Sequence, residues 1–213
     1  MGNLIIRNGG SLTIQSDSLS IKRVPHVIYE YPGKEYYDIE GQVDSRGLDG
    51  NTFHGAQQSF TVGSGPWTIT GIDWWIWRSG ASPSGNVTSF LWTSTAGKLP
   101  DTLIATSDVV SVSSLPTTGT FGWWTSFNFS TEITLENSTR YVMGIHHPLA
   151  SSVNKVNVRV RGVVENDQGV PNITGESQSI TTDSSSPPTS FTVLSTNPLW
   201  FRLIGVRGRA PIL

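Results

Sequence analysis

Residues 67–78 read Trp67-Thr68-Ile69-Thr70-Gly71-Ile72-Asp73-Trp74-Trp75-Ile76-Trp77-Arg78. In an extended chain, successive side chains point to opposite faces. Ile72, Trp74 and Ile76 then share one face, and Trp67, Ile69, Trp75 and Trp77 share the other. The period is two, which predicts a strand. Further alternating runs follow on both sides, at 57–62, 86–93, 102–110, 122–129, 139–147, 155–164, 189–194 and 199–207. Turn signals separate them: Gly63-Ser64-Gly65-Pro66, Pro83-Ser84-Gly85, Gly97-Lys98-Leu99-Pro100 and Glu136-Asn137-Ser138. No stretch has a helical period. The expected fold is all-β: an antiparallel, jelly-roll-like β-sandwich over residues 51–213, preceded by a short N-terminal β arm. Residues 177–190 are polar, contain Pro187-Pro188, and read as a long exposed loop.

Several of these strands carry aromatic residues on both faces. Val87 and Leu91 oppose Phe90 and Trp92, and Trp123, Phe127 and Phe129 oppose Trp124. A two-layer sandwich has one inward face per sheet, and large apolar patches are seldom left bare. Three accounts fit. Bulges can shift the register and return the indoles to the core. The second face can be a subunit interface. Or Trp75, Trp77, Trp92 and Trp124 form a ledge on which a host-surface glycan stacks.

Residues 1–24 read as a separate arm. Leu4 and Ile6, Leu12 and Ile14, and Leu19 and Ile21 are apolar pairs at alternate positions, divided by Asn8-Gly9-Gly10 and Gln15-Ser16-Asp17-Ser18. Each pair offers too little surface to fold alone. The arm therefore packs as a hairpin on the main domain or pairs with sister chains or a neighbouring protein. Residues 25–50 read as a connector, punctuated by Pro25, Pro32, Gly33, Gly41, Gly47 and Gly50. Tyr29, Tyr31, Tyr36 and Tyr37 within it suggest a segment packed down on a surface.

Composition narrows the function. Only 14% of residues are charged and the net charge is −2, which gives no electrostatic footprint for nucleic acid. Cysteine is absent, excluding disulfides, Cys-based zinc sites and thiol nucleophiles. No apolar run reaches the roughly 20 residues of a membrane span, and no membrane insertion is expected. The N-terminus shows no export-signal pattern, so synthesis in a host cytoplasm is expected. His146-His147 is the conspicuous histidine pair, but neighbours on a strand diverge, so no metal site is read there. Asp44, Asp49 and Asn51 loosely resemble a calcium loop, so a structural calcium is the one cofactor reading; otherwise none is expected. Asp73, inside an apolar strand, is the one candidate acid. With no second carboxylate to set against it and no nucleophile motif, no catalytic residue is assigned and no enzyme is expected.

Residues 57–147 resemble a pattern of β-sandwich domains in bacteriophage and bacterial surface proteins. The resemblance runs through Gln58-Ser59-Phe60-Thr61-Val62, Ile69-Thr70-Gly71-Ile72, Gly80, Pro83-Ser84-Gly85, Gly97-Lys98-Leu99-Pro100 and Leu103-Ile104-Ala105-Thr106-Ser107, and ends on Trp123 to Phe129, Leu135 and Tyr141-Val142-Met143-Gly144-Ile145. The Leu-x-Ile pairs of the arm are similar to assembly segments of phage tail and spike proteins. These residues make a fold, so the resemblance implies a setting and not an active site. It implies a non-enzymatic virion structural protein, of tail, spike, baseplate or capsid-decoration type, assembled as a homotrimer with other virion proteins and involved in host attachment. The alternative is a carbohydrate-binding module of a secreted bacterial protein.

Overall fold

The computed structural model describes residues 26–31, 45–48, 53–62, 66–117, 123–159, 178–195, 199 and 201–207. The arm residues Leu4, Ile6, Leu12, Ile14, Leu19 and Ile21 lie outside them, as do Asp44, Asp49 and Asn51. Twelve strands succeed one another: β1 (His26–Tyr31), β2 (Ser45–Leu48), β3 (Gly55–Thr61), β4 (Trp67–Ser79), β5 (Asn86–Ser94), β6 (Pro100–Ser111), β7 (Trp123–Leu135), β8 (Arg140–His146), β9 (Lys155–Arg159), β10 (Gln178–Thr181), β11 (Thr192–Ser195) and β12 (Phe201–Arg207). One short 3-10 turn, Val112–Ser114, interrupts them. The protein is all-β and its strand pairings are antiparallel.

The strands fall into two hydrogen-bonded groups. In the first, the order is β1-β12-β4-β7, with β9 on the far end of β4 and β2 on β9. In the second it is β6-β5-β8-β3-β10-β11. One residue pair, Ser107 with Phe129, joins the groups through β6 and β7. Side chains from both meet in one core: Ile72 and Trp74 of β4, Phe127 of β7 and Phe201 of β12 from the first, Phe60 of β3, Leu91 of β5 and Met143 of β8 from the second. The Phe201 ring stands 6.0 Å from Phe60 and 6.2 Å from Trp74. Each such buried side chain contributes roughly 1.5–3 kcal/mol of transfer free energy. The arrangement is consistent with a jelly-roll-like sandwich.

A bulge settles part of the two-face question. The β4 register shifts between Ile69 and Gly71 against β12, where Gly205 pairs with Ile69 and Ile204 with Gly71, so Thr70 is the extra residue. The extra residue turns Ile69 inward, and it is fully buried with Ile72, Trp74 and Ile76. Trp67 packs against the same core. Beyond the bulge the alternation runs as expected, and Asp73, Trp75 and Trp77 lie on the outer face.

Three elements differ from the sequence reading. The strand predicted at 122–129 continues to Leu135, because exposed Ser130, Thr131 and Glu132 hid an alternation that resumes with buried Leu135. Residues 177–190 are not one exposed loop: β10 occupies their start, and Ser179, Ile180 and Thr181 are buried against β3. Two strands, β1 and β2, fall within residues 25–50, pairing with β12 and β9.

Candidate functional site

The outer face of the first sheet gathers three of the four predicted ledge residues. Trp75 on β4 is directly opposite Trp124 on β7. Their ring centroids are 5.3 Å apart and their planes cross at 84°. This edge-to-face geometry suits the quadrupoles of two aromatic rings. Arginines close both ends of the pair. The Arg202 guanidinium, from β12, lies 3.9 Å from the centroid of Trp124, and that of Arg159, from the end of β9, lies 5.3 Å from that of Trp75. The sequence of groups is a row: Arg159, Trp75, Trp124, Arg202. Trp77 continues the face along β4, opposite Asn157 of β9, and is almost wholly buried. Trp123, at the start of β7, is opposite Ile76 and so faces the other side of the sheet from Trp124; it keeps 69% of its surface exposed.

Trp92 is elsewhere. It lies on the outer face of the second sheet, 5.4 Å from Phe90 and 5.7 Å from Phe191, within a satellite cluster completed by Val142. The four tryptophans therefore divide three and one. No single ligand stacks on all of them.

Stacking of a sugar needs an open ring face. In the row, one face of Trp124 is covered by Arg202, and the edge-to-face contact takes a further ring surface between Trp124 and Trp75. What remains accessible for stacking in the row is the outer part of the half-buried Trp75 and Trp124; Trp123, though exposed, is opposite Ile76 and faces the other side of the sheet. A cation held flat on an indole gains about 0.5–2 kcal/mol. Sequence reading found the tryptophans from strand alternation but missed both arginines. Arg159 and Arg202 lie on strands distant in sequence, and only the sheet order brings them to this face.

Asp73 shares the outer face, buried, with Arg202 and Ser126 as its cross-strand neighbours rather than a second carboxylate. β4 is paired on both sides at this point, so Asp73 is a mid-sheet residue.

The histidine pair is buried at the end of β8. His146 Nε2 donates to the Asp183 carbonyl at 2.9 Å, and His147 Nδ1 donates to the Asn86 carbonyl at 3.1 Å. Because a carbonyl only accepts, these contacts fix both tautomers. Burial lowers the pKa of both rings, partly offset by those hydrogen bonds, and nearby His54 lowers both further. Among the described residues no group of three or more His, Asp or Glu side chains is arranged to hold a metal ion. Compared with known proteins, the chain matches no family model, no curated protein and no solved structure.

Proposed function

We propose that this chain is a non-enzymatic structural protein of a virus particle, displayed on its surface as part of a tail, spike, baseplate or capsid decoration. In this reading it acts as a homotrimer, contacts other particle proteins and takes part in attachment to the host. The observation that carries the reading is the outer strand of the second sheet. Among the described residues, β6 pairs with β5 along its length but meets β7 only around Ser107 and Asp108, through the Ser107–Phe129 pair and the Asp108 carboxylate, which accepts from the Asn128 N–H at 2.8 Å. Leu103, Ile104 and Val109 on this strand are 39%, 38% and 61% exposed. Proteins commonly guard such a strand with Lys or Pro. Between Asp101 and Asp108, β6 has neither; its guard is an irregular register with β5. An apolar strand edge of this length suits strand addition from another subunit.

The test has two parts. Mass spectrometry of purified particles of the virus that encodes the chain is expected to find it at structural copy number. Light scattering of the full chain is expected to give a trimer at micromolar concentration. Absence from particles together with a monomer in solution overturns the reading.

The alternative, a carbohydrate-binding module of a secreted bacterial protein, draws on the half-buried pair Trp75 and Trp124. Tryptophan fluorescence that responds to a glycan panel, and ceases to respond in Trp75→Ala, favours it.

A further inference from the structure

The loop between β10 and β11 is held to the body of the domain at two points. At one end, His146 Nε2 donates to the Asp183 carbonyl at 2.9 Å. At the other, the Phe191 ring packs edge-on against Trp92 at 5.7 Å. Between them the loop is shaped by its own aspartate. Asp183 accepts from the Ser185 N–H at 2.8 Å, the Thr189 N–H at 2.8 Å and the Thr189 hydroxyl at 2.9 Å. The loop is thus a preformed unit attached at its ends.

The His146 end has no room for a proton. The side chain has no exposed surface, and Nδ1 is buried without a hydrogen-bond partner. The titratable groups around it are His54, 6.5 Å away ring to ring, His147 next in the chain, and Asp183 above it. Phe90 packs edge-on against the ring at 6.2 Å. A proton added at Nδ1 puts a positive charge among two other imidazoles and an aromatic edge, with nothing to accept the new N–H. The Asp183 carboxylate is turned to its own loop and spends its oxygens there.

We propose that His146 is the catch of an acid-released clasp: protonation of its ring detaches residues 182–191 from the domain and uncovers the Phe90, Trp92 and Val142 cluster. The direction follows from linkage. In the closed form burial holds the ring neutral below its ordinary value of 6.5, and in the open form the ring regains that value. Closure is therefore undiminished above about pH 6.5 and weakens as the pH falls below it, until the closed form also takes up the proton. One histidine changes the open-to-closed ratio by roughly 30-fold between neutral pH and pH 5 if it stays neutral when closed.

The experiment is hydrogen–deuterium exchange on the full chain, corrected for intrinsic exchange, between pH 7.5 and pH 5. Protection of residues 182–191 is expected to fall by at least ten-fold while β4 keeps its protection. His146→Gln, whose amide N–H can replace the Nε2 donor but takes no proton, is expected to flatten the response. In the wild type, NMR titration of the His146 ring is expected to share its midpoint with loop opening. If His146→Gln does not fold, that coincidence decides the matter. Loop protection independent of pH, simultaneous loss of protection in β4, or mismatched midpoints each overturn the proposal.

Discussion

Trp75 and Trp124 meet edge to face across β4 and β7, and the guanidinium of Arg202 caps the outer indole at 3.9 Å. This contact joins three neighbouring strands, β7, β4 and β12, on the side of the sheet away from the core. Trp124→Ala removes an aromatic pair worth about 0.5–1.5 kcal/mol and a cation–π contact of about 0.5–2 kcal/mol. The expected loss of stability is about 2–3 kcal/mol by urea unfolding, with the fold retained. A double-mutant cycle of Trp124→Ala with Arg202→Ala should give a coupling near 1 kcal/mol. Additive effects would mean that the two side chains are neighbours without interacting.

The second prediction concerns the seam between the sheets. Trp74 Nε1 donates to Ser89 Oγ at 2.9 Å, and Ser89 Oγ donates in turn to the Gly144 carbonyl at 2.9 Å. The hydroxyl is thus both acceptor and donor, with no exposed surface. Ser89→Ala leaves a buried indole N–H and a carbonyl without this partner, at an expected cost of about 1–3 kcal/mol. Trp74→Phe combined with Ser89→Ala should cost less than the sum of the two single changes, because the unsatisfied donor has gone. Additivity in thermal unfolding would contradict this relay.

Strand alternation alone identified Ile72, Trp74 and Ile76 as one face, and all three are fully buried. It misplaced Ile69, because a bulge is one residue of backbone geometry and leaves no mark on the pattern. Ser89 was invisible for another reason: a serine in a strand reads as a solvent residue until the indole it serves is placed beside it. The aromatic row was half legible. Trp75 and Trp124 followed from period, whereas Arg159 and Arg202 depend on which strands become neighbours, a property of topology rather than local sequence. Trp92 was grouped with Trp75 since both occupy outward positions. Two sheets have two outward sides, and period cannot say which side a strand supplies.

Gly144 on β8 marks a close approach on the second sheet. A Cβ there would stand 2.7 Å from Gln57 Cγ and 3.0 Å from Trp92 Cζ3. Gly144→Ala is therefore expected to cost about 1–3 kcal/mol through overpacking. Gln57 is fully buried and Trp92 nearly so, leaving little free space around the new methyl. Trp92→Leu in the same chain should recover part of the loss by giving the methyl room. If Gly144→Ala unfolds at the same denaturant concentration as the wild type, the approach is looser than these distances require.

The last prediction is the acid behaviour of Asp183. The Thr189 N–H, together with the Ser185 contacts and the Thr189 hydroxyl, holds its carboxyl well below the usual carboxylate range. The sign follows from linkage: a folded-state pKa lowered below the unfolded value means that the ionised form stabilises the fold. That contribution is complete above the ordinary value of 3.8 and is lost as the pH falls through the folded-state value. Asp183→Asn keeps the size of the side chain but loses the charge, so its hydrogen bonds to the loop N–H groups weaken. At pH 7 the variant should be less stable than the wild type, with faster exchange of the Ser185 and Thr189 amides. Below the carboxylate range the gap should close, because protonation of Asp183 brings the wild type to the same neutral state. The carboxylate range lies well below the pH at which His146 is expected to act, so comparing the two chains at each pH separates the two effects. A stability gap that stays constant from pH 7 into strong acid would show that the loop is shaped by side-chain size rather than by the charge of Asp183.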